Sequence, residues 1–155
     1  MIGLENAQRD SFVLLQLAGK KLALPAKIVA ELAPPVRLHS FPHTSALLAG
    51  VIVRRGRILP VYDVGKALSG KSALAHRFYL VARREFDNAA EMSAIPVDGE
   101  CELVTGQMGA RPGDAAPYIC GEIVAGSEAV GVLDLEALIQ MHSKGATSHA
   151  TEARV

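Results

Sequence analysis

The chain contains an approximate copy of itself. Gly50 to Leu68, GVIVRRGRILPVYDVGKAL, lies without a gap over Gly121 to Ile139, GEIVAGSEAVGVLDLEALI, at a constant offset of 71 positions. Gly, Ile, Val, Val and Asp coincide at 50/121, 52/123, 53/124, 61/132 and 63/134. Apolar residues face apolar ones at 58/129, 59/130, 62/133, 64/135 and 68/139. The offset returns upstream, where Ala23-Leu24-Pro25 falls on Ala94-Ile95-Pro96 and Glu31-Leu32 on Glu102-Leu103. Two copies at so long a period do not make a solenoid, in which many short units stack on their neighbours. A unit of about 70 residues also encloses little core of its own. The repeat therefore predicts two similar small β-lobes packed on each other within one domain.

The lobes read as β because the apolar runs are short and broken by turn residues. Phe12 to Leu17 and Leu22 to Leu24 flank the turn Ala18-Gly19-Lys20-Lys21. Val51 to Val53 and Arg57 to Tyr62 flank Arg54-Arg55-Gly56, and Phe78 to Ala82 and Glu91 to Pro96 flank a turn at Glu85 to Asn88. Ile119 to Ala125 and Ala129 to Leu133 flank Gly126-Ser127. Two short helices are expected beside them. Pro25 opens AKIVAEL, whose Ile28, Val29 and Leu32 recur at partly helical spacing, and Pro34-Pro35 stops it. Asp134 is placed to cap LEALIQM near the C-terminus. Residues 33 to 44 and Gly106 to Pro117 read as loops. The chain divides into an N-terminal tail, 1–10, one two-lobed domain, 11–141, and a polar C-terminal tail, 142–155, expected to be disordered.

Charge and motif content narrow the function. Lys+Arg and Asp+Glu number 16 each, so no net positive field draws nucleic acid or an anionic membrane surface. No apolar run spans a bilayer and the first ten residues lack a signal-peptide pattern, so a cytoplasmic protein without membrane insertion is expected. Cys101 and Cys120 are not in a CxxC arrangement and read as free, packed thiols of a reducing compartment. Phe41-Pro42 breaks any helix that would align His39 with His43, and His76, His142 and His149 are scattered, so no metal site is expected. No GxSxG, Walker A or GxGxxG pattern occurs, and Gly109 to Gly113 contains Pro112 and lacks a following Lys-Ser/Thr. No catalytic residue and no cofactor are assigned, and the chain reads as a non-enzyme.

Ala49 to Asp63, AGVIVRRGRILPVYD, resembles the central signature of CheW-like domains, which runs G, two apolar residues, N-L-R-G, an apolar pair or triplet, then P, two apolar residues and D-L. FVLLQLAGKKLALPAKIVAEL is similar to the family's opening, and Val132-Leu133-Asp134-Leu135 to its closing element. Val53-Arg54 stands where the signature has Asn-Leu, and Gly65 where an Arg often follows. The resemblance implies an all-β fold of two five-stranded SH3-like barrels around a common core. It also implies an adaptor that couples the cytoplasmic tips of methyl-accepting chemoreceptors to the regulatory domain of a CheA-type histidine kinase.

The site residues follow from the same match. Val29 and Glu31 fall on positions the family uses for receptor contact, and Arg55 on the signature Arg near the receptor groove. An Arg on a turn projects a rigid fork of donors toward a partner's carboxylates, and Val29 beside it would be either an exposed anchor or core. Arg54 and Arg57 read as solubilising charges. Gly50 and Gly56 serve backbone geometry, a bend and a positive-φ turn, and Asp63 and its repeat mate Asp134 cap the next turn. Three readings stay open. One is the chemotaxis adaptor or a paralogue in a pilus-type array. The second is a small-molecule binder or enzyme using the cleft between lobes, and the third a divergent interaction module on the same fold.

Overall fold

The computed structural model describes residues 10–40, 47–70, 78–86 and 89–142. The expected N-terminal tail up to residue 9, the C-terminal tail from 143, and His43, His76 and His149 lie outside them. So do residues 87 and 88 of the turn expected at Glu85 to Asn88.

Each run of alternating or apolar residues becomes a strand. The first copy of the repeat supplies β1 (Asp10–Leu17), β2 (Lys20–Pro25), β3 (Val29–Ala33), β4 (Leu48–Arg54) and β5 (Arg57–Tyr62). The second supplies β6 (Phe78–Phe86), β7 (Ala89–Val97), β8 (Glu102–Gly106), β9 (Ile119–Ala125) and β10 (Glu128–Leu133). A short helix, α1 (Val64–Ser69), follows β5. Its repeat mate α2, over 135–142, follows β10.

The expected helix over AKIVAEL is not there. Only Ala26–Ile28 makes a single 3₁₀ turn, and Val29–Ala33 continues as a strand with an alternating burial pattern. Ile28 and Val29 are β-branched and resist helical χ1 confinement, and β6 offers Val29–Ala33 an antiparallel partner. The same misreading hid β8, which the sequence left unassigned although its Glu102-Leu103 mirrors Glu31-Leu32 of β3.

The strands form two five-stranded sheets, in the orders β8-β1-β2-β10-β9 and β3-β6-β7-β5-β4. The two orders become identical when every strand is replaced by its repeat mate. Neither sheet comes from one copy. Each takes its first hairpin from one copy and its remaining three strands from the other, so the halves exchange three strands. Two parallel contacts join the exchanged parts, Ala23 opposite Val132 and Ala94 opposite Val61. Both pairs are fully buried.

The cores repeat as well. One barrel-like lobe is filled by Phe12, Leu14, Ala23, Ile123, Val130 and Val132. The other holds Tyr79, Val81, Ala94, Ile52, Leu59 and Val61 in the matching places. Tyr79 and Val81 match Phe12 and Leu14 through the hairpin register, since Leu14 faces Ala23 and Val81 faces Ala94. Between the lobes, Leu15, Leu17, Leu22 and Leu24 of one sheet meet Leu80, Ala82, Ile95 and Val97 of the other, together with Leu135 and Leu138 of α2. This shared layer removes from water apolar surface that neither lobe could cover alone.

Polar details obey the same pseudo-symmetry. Asp63 Oδ1 accepts from Lys66 N at 3.2 Å, and Asp134 Oδ1 from Ala137 N at 3.0 Å. Asp63 N donates to Leu47 O and Asp134 N to Tyr118 O, both at 2.7 Å. At Gly50 an added Cβ would lie 2.3 Å from the carbonyl oxygen of His39, whose backbone bridges Val51.

Strand exchange makes a strong expectation. A chain cut between Gly70 and Phe78 should give two halves that are each unfolded by circular dichroism and elute early for their mass in gel filtration, as expanded coils. Mixed, they should combine into a one-to-one complex with the β-rich spectrum of the intact chain.

Candidate functional site

The turn between β4 and β5 gathers Arg54, Arg55 and Arg57. Arg54 pairs with Arg57, so the hairpin loop is the two residues Arg55-Gly56. Both sit at positive φ, 53° and 77°. This is the hairpin geometry that matches strand twist and normally recruits Asn-Gly or Gly-Gly. At the position of Arg55 the second copy has Gly126, at φ 65°. An L-residue in this region is disfavoured by about 1–2 kcal/mol. The fold accepts Gly here, and the first copy holds an Arg instead.

The curl of the sheet brings its two edge strands, β3 and β4, close together. Arg54 Nη2 donates to Glu31 Oε1 at 2.8 Å, and Arg55 Nη2 lies 3.6 Å from the same oxygen. The hydrogen bond from Arg54, aided by the charge of both arginines, holds the Glu31 carboxyl below its ordinary pKa. A shallow groove of about 160 Å³ runs beside these groups, with Arg57 on its rim and Leu59, Val81 and Met92 on its floor. A register shift between Val29 and Glu31 sets Val29 opposite Ala82 and Glu31 opposite Val81, so Val29 turns, half-buried, to the shared core while Glu31 faces the groove. The structure thus brings Glu31 and Arg55 together but leaves Val29 on the core side of the strand. Arg54, read from sequence as a solubilising charge, is instead the closest partner of Glu31. Gly50, Gly56, Asp63 and Asp134 lie at the bend, the turn and the two helix caps already described.

A second feature crosses between the lobes. A cleft of about 560 Å³ is lined by Lys27, Ile28, Arg84, Cys120, Leu133 and Glu136, among others. Arg84 of β6 grips Glu136 of α2 with two bonds of 2.8 Å, from Nε and Nη2. Its Nη1 reaches the Tyr62 hydroxyl at 3.2 Å, and its guanidinium stands 5.9 Å from the Tyr62 ring centre. Bonds from Arg84 pull the Glu136 carboxyl below its ordinary pKa, and burial pushes the Tyr62 phenol up. No sequence motif pointed to this pair, which is 52 positions apart. Cys101 is half-buried, but Cys120 is exposed in the cleft wall, contrary to the expected packed thiol. Among the described residues no three His, Cys, Asp or Glu are grouped to hold a metal ion.

A third feature is apolar. Leu103 of β8 and Val124 of β9 are each 69% exposed, at the end of one lobe. Their mates Leu32 and Val53, with Ile58, are exposed on the other. Guanidinium forks and exposed aliphatic side chains on rigid strands are the elements of protein docking surfaces, in which apolar anchors are ringed by polar groups.

A family model described as the CheW-like domain matches residues 11–143. Among solved structures, the scaffolding protein TtCheW from Thermoanaerobacter tengcongensis aligns with a TM-score of 0.67 at 21% identity, covering 83% of this chain and 86% of that one. At that identity the likeness speaks for the fold. The curated proteins searched gave no match.

Two outcomes are expected of this geometry. Arg55→Gly should stabilise the chain by about 0.5–1 kcal/mol in urea melts, because Gly relieves the positive φ. The Arg84–Glu136 pair is present in full above the ordinary carboxyl value of 4.5 and is lost as pH falls through the lowered folded value. Arg84→Met should therefore cost on the order of 1 kcal/mol at neutral pH, discounted for the partial exposure of Glu136. It should also flatten the decline of stability below pH 4.5.

Proposed function

The chain belongs to the CheW-like domain family, and we propose that it is a non-catalytic scaffold coupling methyl-accepting chemoreceptors to a CheA-type histidine kinase. The observation that carries this reading is Arg55. A positive-φ turn position that Gly would fill without strain holds an Arg that is 74% exposed on its side chain and faces Glu31. Ala18 holds the same left-handed turn position in the β1–β2 hairpin, so it is the charge and exposure of Arg55 beside Glu31 that support the reading.

Two unlike surfaces suit two unlike partners. The arginine hairpin with Glu31 receives the receptor tip. The apolar end of the other lobe, with Leu103 and Val124, receives the kinase regulatory domain, where burial of a few aliphatic anchors supplies most of the affinity. No helix among the described residues is long and apolar enough to cross a membrane, and the cytoplasm, where receptor tips and kinase meet, is the proposed place of work.

Co-purification with the CheA-like kinases and receptor tips of the same genome tests the assignment. Wild type should retain one kinase and assemble further when receptor tips are added. Arg55→Glu should keep the kinase and lose the receptor-dependent step, while Val124→Glu should lose the kinase. Capture of no kinase and no receptor would sink the coupling role.

A further inference from the structure

The β4–β5 hairpin carries charge that its geometry does not require. The β9–β10 hairpin has the same length and register, yet the mates of Arg54, Arg55 and Arg57 are Ala125, Gly126 and Glu128. Both hairpins close, so three arginines are not needed to form the turn. The exposed Arg55 and Arg57 are not needed for stability either, since ion pairs of exposed side chains contribute little.

The arginines are also in excess. Among the described residues, Glu31 is the one acidic side chain lining the groove beside them. Arg54 engages it at 2.8 Å and holds it on the β3 side, with Arg55 at 3.6 Å from the same oxygen. Arg54 Nε, itself buried, has no hydrogen-bond partner among the described residues. Arg55 and Arg57 remain exposed, and Arg55 offers most of its fork of donors to solvent. A carboxylate arriving in the groove therefore meets guanidinium groups before it meets Glu31. The floor of Leu59, Val81 and Met92 is apolar, which suits a peptide better than a nucleic acid. The chain as a whole has no net charge with which to hold a polyanion.

We propose that this groove selects an acidic protein segment, one that presents carboxylates alternating with aliphatic side chains, and that Arg54 sets this selectivity by neutralising Glu31. This rests on the docking role assigned above to the same hairpin and names the chemistry of its partner. Without Arg54, Glu31 is left to Arg55, and Arg57 alone of the arginines lining the groove stays clear of it. Charge arrangement of this kind decides between partners more than it sets total affinity.

The test uses the whole chain labelled with nitrogen-15 and three probes followed by NMR. These are acetyl-Glu-Leu-Glu-Glu-Leu-Glu-amide, the same peptide with Lys for every Glu, and a short oligothymidylate. The acidic peptide should shift the amide signals of Glu31, Arg55 and Gly56 at millimolar concentration, and the lysine peptide should not. Arg54→Leu should weaken the acidic peptide by about fivefold, the scale of one or two exposed charge contacts, and Glu31→Gln should tighten it. Equal binding by Arg54→Leu, equal binding of the lysine peptide, preference for the oligothymidylate, or no shift at the hairpin would each overturn the proposal. Kinase and receptor capture by a chain that ignores the acidic peptide would remove this inference alone. An acidic-peptide response without kinase or receptor capture would remove the coupling role and leave the groove's selectivity standing.

Discussion

The architecture depends on two buried contacts between parallel strands, Ala23 beside Val132 and Ala94 beside Val61. Each stitches a hairpin of one copy to a hairpin of the other, while β8 or β3 pairs antiparallel along its far strand. Alanine fits there because its side chain points into the lobe core, where a larger one would crowd the packed residues around it. Everything above this level follows from the exchange. It fixes which strands are edges, and so it places β3 near β4 and Glu31 near Arg54. It also sets α2 of the second copy against β6, where Arg84 can reach Glu136.

Much of this could be read in the amino acids. The bounds of β5 and β9 coincide with the apolar runs because Gly56 and Asp63 close the first and Pro117 and Gly126 bracket the second. The two-lobe layout follows from the offset of 71, and the family resemblance rests on residues of the β4–β5 hairpin. What was lost is equally specific. Ile28, Val29 and Leu32 imitate a helical stripe, and only the partner strand β6 decides against it. β8 is an edge strand whose residues are half-buried or exposed, so its apolar signal is faint. The exchange itself has no signature, since a repeat tells which residues are equivalent and not which copy each will pair with.

The site divides in the same way. Arg55 and Glu31 could be picked out one by one, but their meeting across 24 positions depends on the curl of the sheet. Arg54 looked like one more surface charge, because side-chain pairing is invisible until both edges of the sheet are in place. The symmetric core and the asymmetric surface are therefore separate layers of information. Residues filling the lobes match across the repeat, Ile52 with Ile123 and Val61 with Val132, while the turns diverge, Arg55 against Gly126. Packing demands equivalence inside, and nothing demands it at the tips.

The shared layer of Leu15, Leu17, Ile95 and Val97 has a consequence for the coupling role proposed above. With strands traded between the lobes, neither lobe melts while the other stays intact. In that role a damaged molecule would leave its assembly whole, and would not persist as a dead-end cap that occupies one partner and blocks its place.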